Sequence, residues 1–350
     1  MQTCTDIFIS PSTSIRESVE IIDKGRHQIA LVVDGDFKLL GTVTDGDVRR
    51  AILRAKDFSV HAEEIMNRNP ITASIDTPAK VTRQNMLEKG IRAVPVVDDD
   101  GRVLGLEVWN AFQPSHSKHE NWVVLMAGGL GHRLTPLTDS CPKPLLKVGP
   151  KPILETILES FIAQHFDKFF LSVNYKGNMI EDYFGDGSKW GVTIKYLKEE
   201  KRMGTAGALS LLPVIPDSPL IVMNGDLLTS VNFEQLLQFH LENKSAATMC
   251  VREHTYTLPY GVVQLQNHQF MGIEEKPVQQ LFVNAGIYVI DPKVLTLIQP
   301  DIYTDMTTCF QQMVQQHYHI SAFPIREYWL DIGKMDDYVR ANREYTEVFP

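Results

Sequence analysis

The sequence of 350 residues predicts two units of α/β structure: a repeated α+β segment, then a doubly wound, mostly parallel sheet. Three observations predict this arrangement. Two stretches within the first 112 residues repeat each other, and short apolar strands alternate with amphipathic helices after residue 121. A polar stretch (QPSHSKHE) separates the two regions. We therefore expect repeats over about 1–58 and 59–112, a linker at 113–120, and a second domain over 121–350.

Composition excludes several classes of protein. With 43% hydrophobic residues the chain can form a sizeable core, and its apolar runs are shorter than the roughly 20 residues of a membrane span. The net charge is −9 and no basic run is present, so we expect neither a nucleic-acid nor a membrane partner. No signal peptide opens the sequence, and the cysteines form no CxxC pair (Cys4, Cys141, Cys250, Cys309). These features predict a cytoplasmic protein without disulfides.

The internal repeat has a constant offset of 64 residues. The apolar strand Ile29–Val33, an Asp/Gly turn and Leu39–Gly41 match Ala93–Val97, a second Asp/Gly turn and Val103–Gly105. Each copy is predicted to run helix, strand, tight turn, strand, helix. In the first copy, Ser14 and Glu17 form a capping-box pattern and Gly25 ends the helix.

This repeat resembles a pair of CBS motifs, a module that usually binds adenine nucleotides or related ligands. In such modules a G-x-x-[ST]-x-x-D stretch holds a ribose, and the first copy keeps it as Gly41, Thr44 and Asp47. The matching positions of the second copy include Val108 and Ala111, which offer no polar side chain. The resemblance implies at most one site, for an AMP- or ATP-type ligand, at Thr44 and Asp47. A docking module without a ligand is the alternative.

The second domain opens with alternating strands and helices. Asn121–Met126, Phe169–Val173 and Leu220–Met223 are predicted strands, and Ile153–Phe166 is a predicted amphipathic helix. Strands alternating with helices predict a mostly parallel sheet with helices on both faces.

A glycine-rich turn follows the first of these strands. Three glycines within four residues let the backbone turn tightly and bring its N–H groups close to a phosphate. Arg133 and Lys143 add fixed positive charge nearby. The residues of this group are Ala127, Gly128, Gly129, Gly131, Arg133 and Lys143.

This stretch resembles the signature G-G-x-G-x-R-L-x-P-L-T...P-K-P of sugar-phosphate nucleotidyltransferases. The later segments Gly204–Gly207, Asn224–Asp226, Glu274–Pro277, Asn284–Gly286 and Trp329–Gly333 are similar to further motifs of that family. The resemblance implies a Rossmann-like nucleotide-diphospho-sugar transferase fold. It also implies nucleotide binding by Gly204 and Thr205, and sugar-phosphate binding by Gly261, Glu275, Lys276, Asn284 and Tyr288.

The chemistry of that family makes its own demands on the residues. A sugar 1-phosphate attacks the α-phosphorus of a nucleoside triphosphate, and its second pKa near ~6 leaves the nucleophile ionised at neutral pH without a general base. Positioning and charge neutralisation therefore do the work. We expect Arg133, Lys143 and Lys276 to contact phosphates, and Asp226 and Asp331 to hold one or two Mg²⁺ ions.

The identity of the substrates is less constrained. Glu199 lies five residues before Gly204, and a carboxylate there can accept the N1–H and N2–H₂ donors of guanine, so we expect GTP. Glu200 is the alternative residue for recognition of the base. UTP and dTTP are the alternative nucleotides. The order of domains resembles bacterial guanylyltransferases that make GDP-glucosamine for legionaminic acid pathways, which favours glucosamine 1-phosphate; mannose or heptose 1-phosphate stay open. A nucleotide-sensing scaffold is the non-enzymatic alternative, and we expect a homo-oligomer.

Overall fold

The computed structural model describes residues 5–25, 28–54, 60–89, 91–108 and 118–349. Its contacts divide the chain into two compact units, Met1–Ser115 and His116–Pro350. Most of the predicted linker, residues 113–117, lies outside the described residues. None of the helices in the described part is long and apolar enough to cross a bilayer.

The first unit consists of two similar layers of strand and helix. Its elements are β1 Phe8–Ile9, α1 Ile15–Lys24, β2 Ile29–Val33, β3 Leu39–Thr44, α2 Asp45–Leu53, β4 Ala73–Ser74, α3 Ala79–Lys89, β5 Ala93–Val97 and β6 Val103–Val108. Each copy forms a sheet of three strands, β1-β2-β3 and β4-β5-β6, with the first pair parallel and the second antiparallel.

The structure confirms the repeat in detail. Each sheet contains a bulge at the same place, after Val32 in the first copy and after Val96 in the second. The capping box of Ser14 and Glu17 is present, and Gly25 ends α1. The short strands β1 and β4 were not predicted, because two residues carry no periodic signal. The helix expected at the end of the second copy, including Ala111, falls outside the described residues.

The second unit contains the remaining elements. They are β7 Val123–Met126, β8 Lys147–Val148, β9 Lys151–Pro152, α4 Ile153–Ile162, β10 Lys168–Val173, α5 Gly177–Phe184, β11 Thr193–Lys198, α6 Gly204–Gly207, β12 Leu220–Asn224, β13 Leu227–Thr229, α7 Phe233–Glu242, β14 Ala247–Thr257, β15 Val262–Gln266, β16 Gln269–Glu274, β17 Val278–Ile290, α8 Met306–Gln315, β18 Ile320–Ile325, β19 Trp329–Asp331 and α9 Met335–Val348.

A seven-stranded sheet organises this unit, in the order β11-β10-β7-β12-β17-β14-β18. Only β17 runs against its neighbours, so the sheet is mostly parallel, as predicted. Two separate apolar clusters, one around Phe161 and one around Phe310, cover its two faces. The carboxyl ends of β7, β10 and β12 consequently meet at one edge, where open α/β sheets bind ligands.

One helix is shorter than the sequence predicts. We expect a helix over 153–166, and α4 ends at Ile162. His165 adopts a left-handed conformation with φ of 66°, and the backbone N–H of Phe166 donates to the carbonyl of Phe161. This turn ends the helix while it keeps Phe166 in the core, so the apolar spacing extends beyond the helical residues.

Candidate active site

The glycine-rich turn leaves β7 at the carboxyl edge of the sheet. Ala127 still donates to the Ser172 carbonyl of β10, and the chain then turns at Gly128. Gly131 has φ of 68°, and a Cβ there would lie 2.9 Å from Thr138 and 3.1 Å from Lys143. Position 131 therefore requires glycine both for its backbone conformation and for space. No neighbouring atom lies within 4 Å of a Cβ built on Gly129, which lines an open cavity.

Two carboxylates from separate strands lie beside this turn. Asp226 follows β12, and Asp331 ends β19, where it pairs with Leu227 in the ladder between β13 and β19. The backbone N–H of Ile332 donates to the Asp226 carbonyl at 3.1 Å, which holds the two segments together. Lys143, almost fully buried, approaches Asp226 with 2.5 Å between Nζ and Oδ2. The fold therefore brings together Lys143, Asp226 and Asp331, three predicted residues from distant parts of the chain.

Burial and neighbouring charges together raise the pKa of Asp331. Burial raises the pKa of its carboxyl, and the nearby Asp226 carboxylate raises it further, while Lys143 and Arg133 act in the opposite direction. The Arg133 guanidinium lies over Gly333, with Nη1 3.3 Å from the position of a Cβ there. Arg133 and Lys143 thus partly neutralise a pair of carboxylates.

The donors at this site fit a hard cation. Asp331 Oδ1 is buried without a hydrogen-bond partner, and it belongs to one of two adjacent carboxylates. Oxygen ligands of this kind suit Mg²⁺, which keeps several water ligands. The described residues contain no cluster of three or more His, Cys, Asp or Glu side chains for a metal. Phosphate oxygens and water would therefore complete the coordination.

Glu199 lies against the glycine-rich turn at the end of β11. Its Oε1 accepts from the Ser172 hydroxyl at 2.6 Å and its Oε2 from the Met203 backbone N–H at 3.1 Å. A Cβ on Gly128 would lie 2.8 Å from Oε1, so only glycine leaves room for this carboxylate. Each carboxylate oxygen has a second lone pair for a ligand. Glu200, the alternative reader, is exposed.

The GTAG turn, α6, is held from one side by residues of a later loop. The N–H groups of Ala206 and Gly207 both donate to the Thr304 carbonyl at 2.9 Å. The Thr205 hydroxyl accepts from the Met306 N–H at 2.8 Å. A Cβ on Gly204, whose φ is 78°, would lie 2.5 Å from the Thr304 carbonyl oxygen. The N–H groups of Ala206 and Gly207 are therefore used within the protein, and nucleotide binding by Gly204 and Thr205 stays a prediction.

A third cation, Arg202, was missed by the sequence analysis. It lines a cavity of about 370 Å³ together with Gly129, Arg133, Lys143 and Asp226. The only local signal is its position two residues before Gly204. Arg202 lies beside the glycine-rich turn because β10 pairs with both β7 and β11, and sequence periodicity does not reveal these pairings.

The predicted sugar-phosphate residues divide between two places. Gly261, Glu275 and the exposed Lys276 lie together at the base of the β15–β16 hairpin, where Oε2 of Glu275 is 2.8 Å from the position of a Cβ on Gly261. Asn284 is exposed and donates to the Tyr288 hydroxyl at 2.7 Å.

Tyr288 itself packs into the core. Its side chain is 3% exposed, and burial raises its pKa to about 12. In the structure the Tyr288 hydroxyl accepts from Asn284, and contact of Tyr288 with the sugar phosphate stays a prediction. Trp329 Nε1 donates to the Ala285 carbonyl at 2.9 Å, which places Asn284–Gly286 beside the strand that carries Asp331.

In the first unit, Thr44 and Asp47 cap a helix. Thr44 is the N-cap of α2, and its hydroxyl donates to Asp47 Oδ2 at 2.6 Å. Asp47 Oδ1 accepts from Arg50 at 2.6 Å. A Cβ on Gly41 would lie 2.7 Å from the Asn67 carbonyl oxygen, so this glycine has a structural role. Ribose binding at Thr44 and Asp47 stays a prediction.

Two family models match the two units of this chain. The family model described as nucleotidyl transferase matches residues 122–348, and that of the CBS domain matches residues 3–54 and 62–106. The chain belongs to the nucleotidyl transferase family and carries a pair of CBS domains at its amino-terminal side.

Individual relatives resemble the second unit. A mannose-1-phosphate guanyltransferase of Yarrowia lipolytica is 33% identical over 62% of this chain and 61% of its own length. A mannose-1-phosphate guanylyltransferase catalytic subunit beta of Drosophila melanogaster is 33% identical over 62% of this chain and 60% of its own. The chain thus spans about three fifths of these relatives. The crystal structure of HddC from Yersinia pseudotuberculosis is 25% identical, covers 64% of this chain and 99% of its own, and has a TM-score of 0.52.

Proposed function

We propose that this protein transfers a nucleotidyl group from a nucleoside triphosphate to a sugar 1-phosphate and releases pyrophosphate. A phosphate oxygen of the sugar 1-phosphate forms a bond to the α-phosphorus, and the bond from that phosphorus to the oxygen bridging the α- and β-phosphates breaks. The observation that carries this proposal is the convergence of Lys143, Asp226 and Asp331 beside the glycine-rich turn.

The residues of the site would bind and orient the reactants. Gly129, Arg133 and Arg202 line a cavity that suits the triphosphate, because the backbone N–H groups of a glycine-rich turn and arginine side chains both bind phosphate. Lys143 places a positive charge where the α-phosphate gains negative charge in the transition state. Since the nucleophile is ionised at neutral pH, no proton transfer is required of these side chains.

Asp226 and Asp331 would hold Mg²⁺. The ion, when bound, neutralises phosphate charge and polarises the α-phosphorus. The buried Asp331 Oδ1 without a partner supports this assignment. Lys143 then has two roles: it neutralises Asp226 in the free protein and contacts phosphate in the complex.

Guanosine triphosphate is the proposed nucleotide. Glu199 offers two acceptor oxygens beside the turn, and guanine is the base that presents two adjacent donors. The names of the two relatives, both guanylyltransferases, support this choice. UTP or dTTP would direct carbonyl oxygens towards the same carboxylate.

Two sugars are candidates. Glucosamine 1-phosphate is favoured by the order of the domains, and mannose 1-phosphate by the substrate in the relatives' names. We propose glucosamine 1-phosphate as the first to test and mannose 1-phosphate as the second. The CBS pair is proposed to take an adenine nucleotide at Thr44 and Asp47, and to change activity if that ligand prefers one arrangement of the protein.

The test is a grid of substrates with purified protein and Mg²⁺. Each nucleoside triphosphate is combined with each sugar 1-phosphate, and pyrophosphate release is measured with Asp226→Asn as the blank. Pyrophosphate release that needs GTP and one sugar 1-phosphate is expected. If no combination releases pyrophosphate, with or without AMP or ATP, the scaffold alternative replaces this proposal.

A further inference from the structure

An amphipathic hairpin of the second unit leaves its apolar face in solvent. β15 and β16 pair with each other, and among the described strands no third one joins them. The register sets Val263 opposite Ile273 and Leu265 opposite Phe270, so these four side chains point to one side. They are 46% to 66% exposed. We call this surface the hairpin face.

The other side of the hairpin is mainly polar. It carries Gln264, Gln266, Gln269 and Glu274, with Val262 as the exception. Apolar residues on one side and mainly polar residues on the other are typical of strands that bury one side and expose the other. The hairpin therefore has the pattern of a half-buried element, yet both of its sides are exposed.

The size of the hairpin face matches a protein interface. Together with Met271, the bulge residue at 53% exposure, it leaves on the order of 500 Å² of apolar surface in water. A standard interface covers roughly 800 Å² per partner, about 60% of it apolar, which is also about 500 Å². A two-stranded hairpin is marginally stable by itself, so a surface packed against the hairpin face would also stabilise the hairpin.

We propose that the hairpin face is the contact between two copies of this chain, stacked face to face about a two-fold axis. A two-fold contact uses the same surface on both copies, and a face of uniformly apolar residues is complementary to itself. Each chain carries a net charge of −9, so two copies repel each other, and a contact through uncharged side chains adds no further local repulsion. The four side chains of the hairpin face carry no charge.

The contact would also reach the base of the hairpin. Ile273 belongs to the hairpin face, and its Cδ1 is 2.8 Å from the position of a Cβ on Gly261. Glu275 and Lys276 follow directly after β16. Pairing of two copies would therefore hold the segment that carries three predicted sugar-phosphate residues, a consequence that rests on the proposed function.

The test compares two variants of adjacent residues on opposite sides of β15. Leu265→Glu places a charge in the hairpin face, and Gln264→Glu places the same charge on the polar side. Sedimentation velocity of the full chain should give twice the chain mass for the wild type and for Gln264→Glu. Leu265→Glu should dissociate at least about 100-fold more readily, because each two-fold contact receives the charge twice.

A second readout separates loss of contact from loss of folding. Circular dichroism spectra of the two variants, recorded well below their melting temperatures, should match that of the wild type, which shows that both variants are folded. In the wild type, amide exchange over residues 262–274 should slow as protein concentration rises. A monomeric wild type, a Leu265→Glu variant of unchanged mass, or dissociation of both variants would overturn the proposal. So would protection of the hairpin that does not depend on concentration, because the cover would then lie within the same chain.

Discussion

Replacement of Glu199 by glutamine tests how the site would read a base. In the structure, one oxygen of Glu199 accepts from the Ser172 hydroxyl and the other from the Met203 backbone N–H. A glutamine can keep both contacts: its oxygen accepts from Met203, and its amide nitrogen donates to Ser172, whose hydroxyl reverses its role. The fold of this region should therefore survive, and the change should be confined to the ligand.

The expected effect is a loss of preference for GTP. Guanine needs two acceptors, and one of them becomes a donor in Glu199→Gln, which leaves a mismatched hydrogen bond that costs about 1 to 3 kcal/mol. The ratio of kcat/KM for GTP to that for UTP should fall by about 5- to 150-fold. Steady-state pyrophosphate release with both nucleotides measures it.

Glu200→Gln is the matched control, because Glu200 is exposed and carries the same charge. It should leave the ratio unchanged. An unchanged ratio in Glu199→Gln, or a fall only in Glu200→Gln, would refute this account of base recognition.

Three further variants probe the phosphate site and the core. Lys143→Met, which removes the cation beside Asp226, should lower the single-turnover rate constant by about 100-fold or more, and a change below threefold would contradict its role. Arg202→Gln should raise KM for GTP roughly 5- to 10-fold while Lys201→Gln does not; equal effects would exclude a specific contact. His240 is buried and uncharged, with its pKa lowered to about 4, chiefly by burial. As the pH falls, His240 takes up a proton at a higher pH in the unfolded chain than in the folded one. The free energy of unfolding should therefore be at its maximum above about pH 6.5 and about 2 kcal/mol lower at pH 5. Urea unfolding of His240→Asn should lose that pH dependence. A pH dependence equal to that of the wild type would contradict it.

Local patterns predicted the parts of this fold that depend on local physics. The capping box at Ser14, the strands β7, β10 and β12 of the seven-stranded sheet, and the 64-residue repeat all follow from periodicity and turn residues. The end of α4 did not, because the left-handed turn at His165 keeps Phe166 in the core beyond the helix. Apolar spacing alone cannot separate these two solutions.

The candidate site also has features that sequence motifs predict and features that depend on contacts between distant segments. Motif order places Asp226 and Asp331 on separate strands, and the ladder between β13 and β19 brings them together. The use of the α6 amides by Thr304 could not be predicted, because the two segments lie about one hundred residues apart. Arg202 was missed for a similar reason: its place in the cavity depends on sheet neighbours rather than on its own motif.

The central claim is nucleotidyl transfer at the site of Lys143, Asp226 and Asp331, and pyrophosphate release tests it most directly. With Mg²⁺, GTP and glucosamine 1-phosphate or mannose 1-phosphate, the wild type should release one pyrophosphate for each nucleotide-sugar formed, and Asp226→Asn should release almost none. Equal release by the wild type and Asp226→Asn, or no release with any nucleotide and sugar 1-phosphate, would contradict the claim.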